Sequence, residues 1–398
     1  MKEIITALFG AMLLVGCNTT ASKQDEVSSK LQRDLEPNVS DAELSQLVAD
    51  NNKFAHALFQ NLDSSEENIF FSPISISHAL MMTYAAAAGK TKQEMKTALN
   101  LTLEDDRVHE AFNKLDLGLN MQEDTDIFKI ANSIWPSKDF EFEENYLDAI
   151  MVNYGASLKT LDYQNKPEDS RKEINSWVED KTEDKIKDLI PEGLITPLTK
   201  MVLSNATYFK GEWEHAFNPD NTQKGFFNNS IDVEYMNQTE VFPYYEDESL
   251  QAVKLDYKSG KNSMIIILPK GDSYDIKGDF TKHRVTLKMP KFEFTSKSIS
   301  LVDTMKTLGM NRAFDNNADF SLMSSSSSLK IGDIIHKAFI KVDEQGTEAA
   351  AATVVLLVMK GGIVGVPTAT LTLDKPFIYM IVDNETDQIL FMGHMLKP

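Results

Sequence analysis

Gly346-Thr347-Glu348-Ala349-Ala350-Ala351-Ala352-Thr353 opens the stretch on which the reading of this chain turns. An apolar run follows, Val354-Val355-Leu356-Leu357-Val358-Met359, then Lys360 and Gly361-Gly362-Ile363-Val364-Gly365-Val366-Pro367. Between Glu348 and Asp374 the only charged residue is Lys360. Read as a strand, whose side chains alternate between two faces, the segment puts Thr347, Ala349, Ala351, Thr353, Val355 and Leu357 together and Glu348 opposite. The shared face begins small, grows bulkier and carries no charge. Charges are costly to bury, so this is the pattern required of a segment that is exposed in one state and slides between existing strands in another. A buried helix or strand built on an alanine run, with alanine's high helix propensity, has the same composition. The stretch by itself leaves both readings open.

Composition narrows the classes around it. The 398 residues carry a formal net charge of −20 and are 42% hydrophobic, enough for a sizeable core. Phosphate binding needs clustered Lys and Arg, so nucleic acid is not expected as a partner, nor is a surface activated by polyanions. The apolar run Ile4–Val15 is too short to span a bilayer and reads as a signal-peptide core. It ends in Leu14-Val15-Gly16-Cys17, and Cys17 is the single cysteine. This resembles the lipobox of bacterial lipoproteins, which implies residues 1–16 removed, Cys17 acylated, and a protein of the cell envelope, lipid-anchored on the periplasmic side or cell surface. An ordinary secretory peptide is the alternative. With no second thiol, stability must come from packing rather than disulfides.

Residues 17–39 are polar and read as a tether. Order is expected from Ser40, where Ser40-Asp41-Ala42-Glu43 fits a capping box, and one domain over 40–398 follows. Helical spacing runs from Leu44 through Leu62, and again over about 75–88, 92–99 and 169–190, the last with Ile174, Trp177, Val178, Ile186 and Leu189 on one face. Strand-like runs appear at 128–135, 201–209, 252–255, 263–268, 285–294, 338–342 and 377–383. Helices early and strands late give an α+β class with large, mostly antiparallel sheets. Marks of catalysis are missing: there is no G-x-S-x-G elbow, His109-Glu110 lacks the second His of a zinc helix, and Gly89-Lys90-Thr91 has Tyr84 where a phosphate loop needs glycine. The seven histidines are scattered without metal spacing. No catalytic residue, metal or cofactor is expected.

The flanks of the Ala-rich segment decide between the two readings. Leu371-Thr372-Leu373-Asp374-Lys375-Pro376-Phe377-Ile378-Tyr379-Met380-Ile381 resembles the C-terminal signature of the serpins, the serine-protease-inhibitor superfamily. Asn68-Ile69-Phe70-Phe71-Ser72-Pro73-Ile74-Ser75-Ile76, Leu203-Ser204-Asn205-Ala206-Thr207-Tyr208-Phe209-Lys210-Gly211-Glu212-Trp213, and Val342-Asp343-Glu344-Gln345-Gly346-Thr347-Glu348-Ala349-Ala350 resemble three further serpin motifs, in the family's order.

The resemblance implies a large central sheet, two smaller sheets, about eight or nine helices and an exposed reactive loop at about 344–370. It implies a metastable monomer that a serine protease attacks, the cut loop then inserting as a new strand and trapping the protease covalently. The hinge would comprise Glu344, Gly346, Thr347, Glu348, Ala349, Ala350, Ala351 and Ala352. By the family count from Glu344 the reactive bond is Lys360–Gly361, and a basic residue there suits a trypsin-like specificity pocket. The stretch from Lys360 to Leu371 is about five residues longer than in typical members. That leaves Leu357, Val358, Met359 and Val364 as alternative bait for elastase-, chymotrypsin- or subtilisin-like enzymes, or cysteine proteases. Ser72, Ser75, Asn205 and His336 would form the cluster controlling sheet opening, Trp213 would mark where insertion begins, and Lys291 would pair with Glu344. A non-inhibitory binding or carrier serpin is the main alternative, but members of that kind carry charged or bulky hinge residues. A hydrolase is the other.

Overall fold

The computed structural model describes residues 26–63, 66–119, 126–271, 273–325, 329–347 and 365–398. The first half alternates helices with a few strands: β1 (Glu26–Val27), α1 (Asp41–Leu62), β2 (Ile69–Phe71), α2 (Pro73–Tyr84), α3 (Gly89–Ala98), α4 (Asp105–Leu119), β3 (Asp126–Pro136), α5 (Glu144–Tyr154), β4 (Leu158–Lys159) and α6 (Pro167–Lys181). Strands then dominate: β5 (Met201–Glu212), β6 (Gln223–Phe227), β7 (Ile231–Glu246), β8 (Leu250–Asp256), β9 (Asn262–Pro269), β10 (Thr281–Pro290), β11 (Phe292–Thr295) and β12 (Ile299–Ser300). After the short α7 (Val302–Thr307) come β13 (Asp333–Asp343), β14 (Gly346–Thr347), β15 (Thr368–Thr372), β16 (Phe377–Asp383) and β17 (Ile389–Met395). Among the described residues there are thus seven α-helices, with 3-10 turns at 219–221 and 312–314.

Two sheets organise the molecule. The six-stranded sheet has the order β11-β13-β14-β5-β3, with β12 also on β13. The nine-stranded sheet runs β15-β10-β7-β8-β9-β16-β17-β2, with β6 on β7. It is continuous because β7 pairs with β10 along most of its length and with β8 only at its last residues. Where a single strand was expected over 285–294, the chain changes sheets: β10 ends at Pro290, which has no N–H to donate, and β11 joins the other sheet.

The six-stranded sheet is covered on both faces. Leu203, Phe209, Ile334, Ala338, Ile340 and Val342 turn into the main core, which α2 also enters, every one of its residues being buried. Val202, Ala206, Ile335 and Phe339 turn the other way, onto Trp135, Ile174 and Val178 under α6. The amphipathic pattern expected as helix to 190 is helical only to Lys181, because Glu183, Asp184 and Asp188 take positive φ and turn the chain. Ile186, Leu189 and Ile190 are still buried in the same cluster. Their spacing reported burial rather than helix.

The capping box at Ser40 forms as expected, Glu43 N–H donating to Ser40 Oγ and Ser40 N–H to Glu43 Oε2. Order begins earlier than Ser40, however. β1 pairs antiparallel with β4, Asp34 N–H donates to the Val152 carbonyl at 2.9 Å, and Arg33 reaches Asn113 Oδ1 at 2.8 Å and Asp116 Oδ2 at 2.5 Å. The tether expected over 17–39 is therefore shortened: residues 26–39 lie on the body, held by polar contacts that composition alone reads as linker. Asp116 is 5% exposed. Truncating Arg33 breaks a pair buried on its Asp116 side and removes the bond to Asn113 as well, so Arg33→Ala should lower stability by about 3 kcal/mol, read as a shifted urea midpoint. An Arg33→Ala midpoint equal to the parent's would show that these contacts do not hold residues 26–39 on the body.

Candidate functional site

The candidate site lies where β13 turns back on itself into β14. Six residues of β13, Asp333–Ala338, pair with Val202–Thr207 of β5 in parallel, inside a sheet whose other pairings are antiparallel. Above them the chain reverses through Glu344 and Gln345, and β14 lies between the two strands, antiparallel to both. Gly346 is opposite Asp343 and Glu212, and Thr347 is opposite Val342 and Gly211. Among the described residues, 208–210 and 339–341 are paired only on their outer sides, to β3 and β11. A two-residue wedge thus sits at the mouth of a closed ladder.

The turn is held tightly. Glu344 is 8% exposed, and its carboxylate accepts from Thr222 Oγ1 at 2.7 Å and from Lys291 Nζ at 3.1 Å. Burial pushes its pKa up, but the bonds from Thr222 and Lys291 outweigh that and hold it below the usual carboxylate range. The Glu344 and Gln345 carbonyls accept from Phe217 N–H and Trp213 N–H, both at 2.8 Å, and Trp213 Nε1 donates to the Asp343 carbonyl at 3.0 Å. Trp213 stacks on Tyr257 with ring centroids 4.7 Å apart, and Tyr257 OH meets Thr347 Oγ1 at 2.6 Å. A Cβ on Gly346 would lie 2.0 Å from the Gly211 carbonyl oxygen. Only glycine allows the wedge this close to β5.

Below the wedge, on the core face, lies a polar cluster in an apolar setting. Ser72 caps α2, its Oγ accepting from Ser75 N–H at 3.3 Å and donating to the Leu390 carbonyl at 2.7 Å. Asn205 Nδ2 donates to Ser75 Oγ at 2.7 Å and to Asn132 Oδ1 at 2.6 Å, and Asn132 Nδ2 donates to the Ser75 carbonyl at 2.7 Å. His336 lies opposite Asn205 in the parallel ladder, its Nδ1 against Asn205 Oδ1, while its Nε2 accepts from Ser72 N–H at 3.2 Å. That network assigns the neutral tautomer with the proton on Nδ1. Burial pushes the His336 pKa down to about 3.

Of the residues singled out from sequence, Ser72, Ser75, Asn205 and His336 meet in this cluster, while Glu344, Lys291, Trp213, Gly346 and Thr347 meet at the turn. Glu348, Ala349, Ala350, Ala351, Ala352, Leu357, Val358, Met359, Lys360, Gly361, Val364 and Cys17 lie outside the described residues. Sequence reasoning missed Asn132, Thr222 and Tyr257. Asn132 had a signal, since it interrupts the alternation Phe128, Ile130, Ile134 on one face of a strand.

Residues 49–398 match the family model described as serpin (serine protease inhibitor). The chain belongs to the serpin family. Serpin B3 of Homo sapiens is 38% identical over 389 residues, covering 87% of this chain and 98% of that protein. Leukocyte elastase inhibitor A of Mus musculus is 35% identical over 388 residues, covering 89% and 100%. Among solved structures, the thermophilic serpin tengpin in its native state superposes with a TM-score of 0.80 at 27% identity, covering 94% of this chain and 98% of that one. The expected serpin fold is thereby shown, and serpins are generally protease inhibitors rather than enzymes.

The buried histidine makes the closed sheet of this serpin sensitive to acid. An unfolded histidine titrates near 6.5, so the unfolded chain takes up its proton first. The stabilisation is complete above about pH 6.5 and is lost as pH falls toward about 3. His336→Gln should flatten the fall of the thermal midpoint between pH 6.5 and 4, leaving a residual slope from His109 and His78, which burial also holds low. An unaltered slope in that variant would remove His336 from the acid response.

Proposed function

We propose that this serpin is a suicide-substrate inhibitor of trypsin-like serine proteases, cleaved after Lys360 and held outside the cytoplasm by lipid on Cys17. The observation that carries the reading is the β14 wedge, already antiparallel to both members of a parallel pair. A strand continuing from Thr347 needs no change of direction to enter the sheet. On the β14 register, residues 348–356 would pair with 210–202 on one side and 341–333 on the other. The single β5–β13 ladder would be exchanged for two, each added bond worth a net ~1 kcal/mol.

The face pattern fits that register. Ala349, Ala351 and Thr353 would join Thr347 over the core, opposite Phe209, Thr207 and Asn205, where only small or uncharged side chains can enter without a burial cost. Glu348 would turn to the other face, directly opposite Lys210 and Lys341. Opposite charges across a ladder contribute roughly 0.2–1 kcal/mol each.

The chemistry belongs to the protease. Its serine Oγ attacks the Lys360 carbonyl carbon, the bond to the Gly361 nitrogen breaks, and the protease histidine gives that nitrogen its proton. Lys360 is then an ester on the protease, and insertion of the residues before it carries the enzyme about 43 Å at ~3.3 Å per strand residue. Force over that distance distorts the preorganised oxyanion hole, and without it deacylation stalls. The leukocyte elastase inhibitor among its relatives supports inhibition in general. The choice of trypsin-like enzymes rests on Lys360, with neighbouring bonds as the second reading.

Mixing this serpin with trypsin should give an adduct resistant to denaturant and a released fragment beginning at Gly361. Thr347→Arg should convert it to a substrate, cleaved with no adduct. Undiminished inhibition by that variant, or a nicked form no more heat-resistant than the intact one, argues against insertion. The register has its own test: Lys210→Glu with Lys341→Glu should raise the inhibitor consumed per trypsin trapped several-fold, and Glu348→Lys should restore it. An unchanged stoichiometry in the double variant would place Glu348 elsewhere.

A further inference from the structure

The anchored end of the chain joins the body at one pole of the six-stranded sheet, and that pole has a surface suited to lipid. β3 runs from the wedge level, where Asp126 opposes Gly211, to the far end, where Pro136 opposes Met201. β4 lies beside that far end: Leu161 N–H donates to the Pro136 carbonyl, Leu161 bridges Ser137 in parallel, and Lys159 sits over the Trp135 and Trp177 rings at 5.4 and 5.2 Å. β1 is antiparallel to β4, with Val27 opposite Leu158 and Glu26 opposite Lys159. Followed backward from Val27 to Glu26, the backbone heads toward Leu161, away from the wedge. From Glu26 to Cys17 the chain can span at most about 30 Å.

The same pole carries the turn segment 190–200, Ile-Pro-Glu-Gly-Leu-Ile-Thr-Pro-Leu-Thr-Lys, which leads into the Met201 end of β5. Leu198 is 85% exposed and Leu194 37% exposed, while Ile195 between them is buried. Glu192 and Lys200 are the only charges in the segment, in a chain whose net charge of −20 would be repelled by an anionic leaflet. Apolar side chains on a nearly neutral turn, within a short tether's reach of an acyl chain, suit the boundary between headgroups and acyl chains.

We infer that the anchored serpin stands with the Leu194–Leu198 turn against the bilayer and the wedge pointing away from it. The wedge is then about 35 Å further out along β5 at ~3.3 Å per residue, with the bait open to soluble proteases. This rests on the Cys17 anchor. On the insertion register Lys360 comes level with Leu198, so a trapped protease would occupy the same pole, and the contact belongs to the uncleaved state only.

The test uses the full-length acylated protein in phosphatidylethanolamine–phosphatidylglycerol vesicles. An environment-sensitive fluorophore is attached at Thr196→Cys in one variant and at Asp220→Cys, beside the turn at Glu344, in another. Brominated lipid should quench the label at 196 several-fold more than the label at 220. Leu194→Asp with Leu198→Asp should abolish that difference while leaving the thermal midpoint of the uncleaved protein in solution unchanged. Equal quenching, or stronger quenching at 220, in protein that still floats with the vesicles overturns the orientation and leaves the anchor standing. Unacylated Cys17 by mass overturns the anchor and the orientation together. A label at 196 already shielded without vesicles points to a second copy on this surface, which also overturns it.

Discussion

Two strands running the same way can accept a third running the opposite way between them, and β5 and β13 stand in that relation. Between two antiparallel neighbours an added strand would have to lie parallel to one of them, so full alternation is kept only by adding at an edge. The one parallel pair that the described residues form inside the six-stranded sheet is therefore a fault in its alternation, closed by the ladder from Asp333 to Ala338. The rest of the structure is arranged around it. α2 and the main core support one face and α6 the other, while β3 and β11 hold the outer edges of the two strands.

What keeps the pair closed differs in kind from what keeps the wedge in place. The ladder is reinforced by neutral hydrogen bonds converging on Asn205 and His336, which are strong in a dry setting and costly to leave unmade. Beside them Thr207 Oγ1 is buried without a partner, an unpaid desolvation at the rung where the ladder ends. The wedge is held by Trp213, Tyr257 and the Glu344–Lys291 ion pair, which grip the turn above the path that residues after Thr347 would take. The design fixes the start of the path and leaves its continuation to compete with a hydrogen-bonded seam.

Much of this was legible in the residues. The capping box set the start of α1, and the strands at 128–135, 201–209 and 377–383 sit inside β3, β5 and β16. The four motifs named the fold, and Ser72, Ser75 and Asn205 from two of them lie with His336 in one hydrogen-bonded cluster. What local pattern does not show has more than one cause, the first being that it reports burial and not backbone state. Local pattern does not single out α4, α5 or β7, whose faces are only partly apolar. Residues 183–190 kept helical spacing after the helix had ended, and 26–39 read as linker because Arg33 finds its acceptors on α4, far away in sequence. Asn132 stands out as a polar break in an apolar alternation, but its partners Ser75 and Asn205 are visible only in space.

A closed seam with a foreign body lodged at one end behaves like a material with a notch. Separating β5 from β13 all at once would break every rung together, whereas from the notch only the rung at Thr207 and Ala338 is under load, and each advance transfers the load to the next. The resistance to opening is then a local toughness, set by whichever rung is at the tip, rather than a sum over the whole seam. His336 and Asn205 form the pair two rungs further down. On the proposed insertion path they would be the crack arrester, because opening past them gives up the buried hydrogen bonds that opening above them leaves intact.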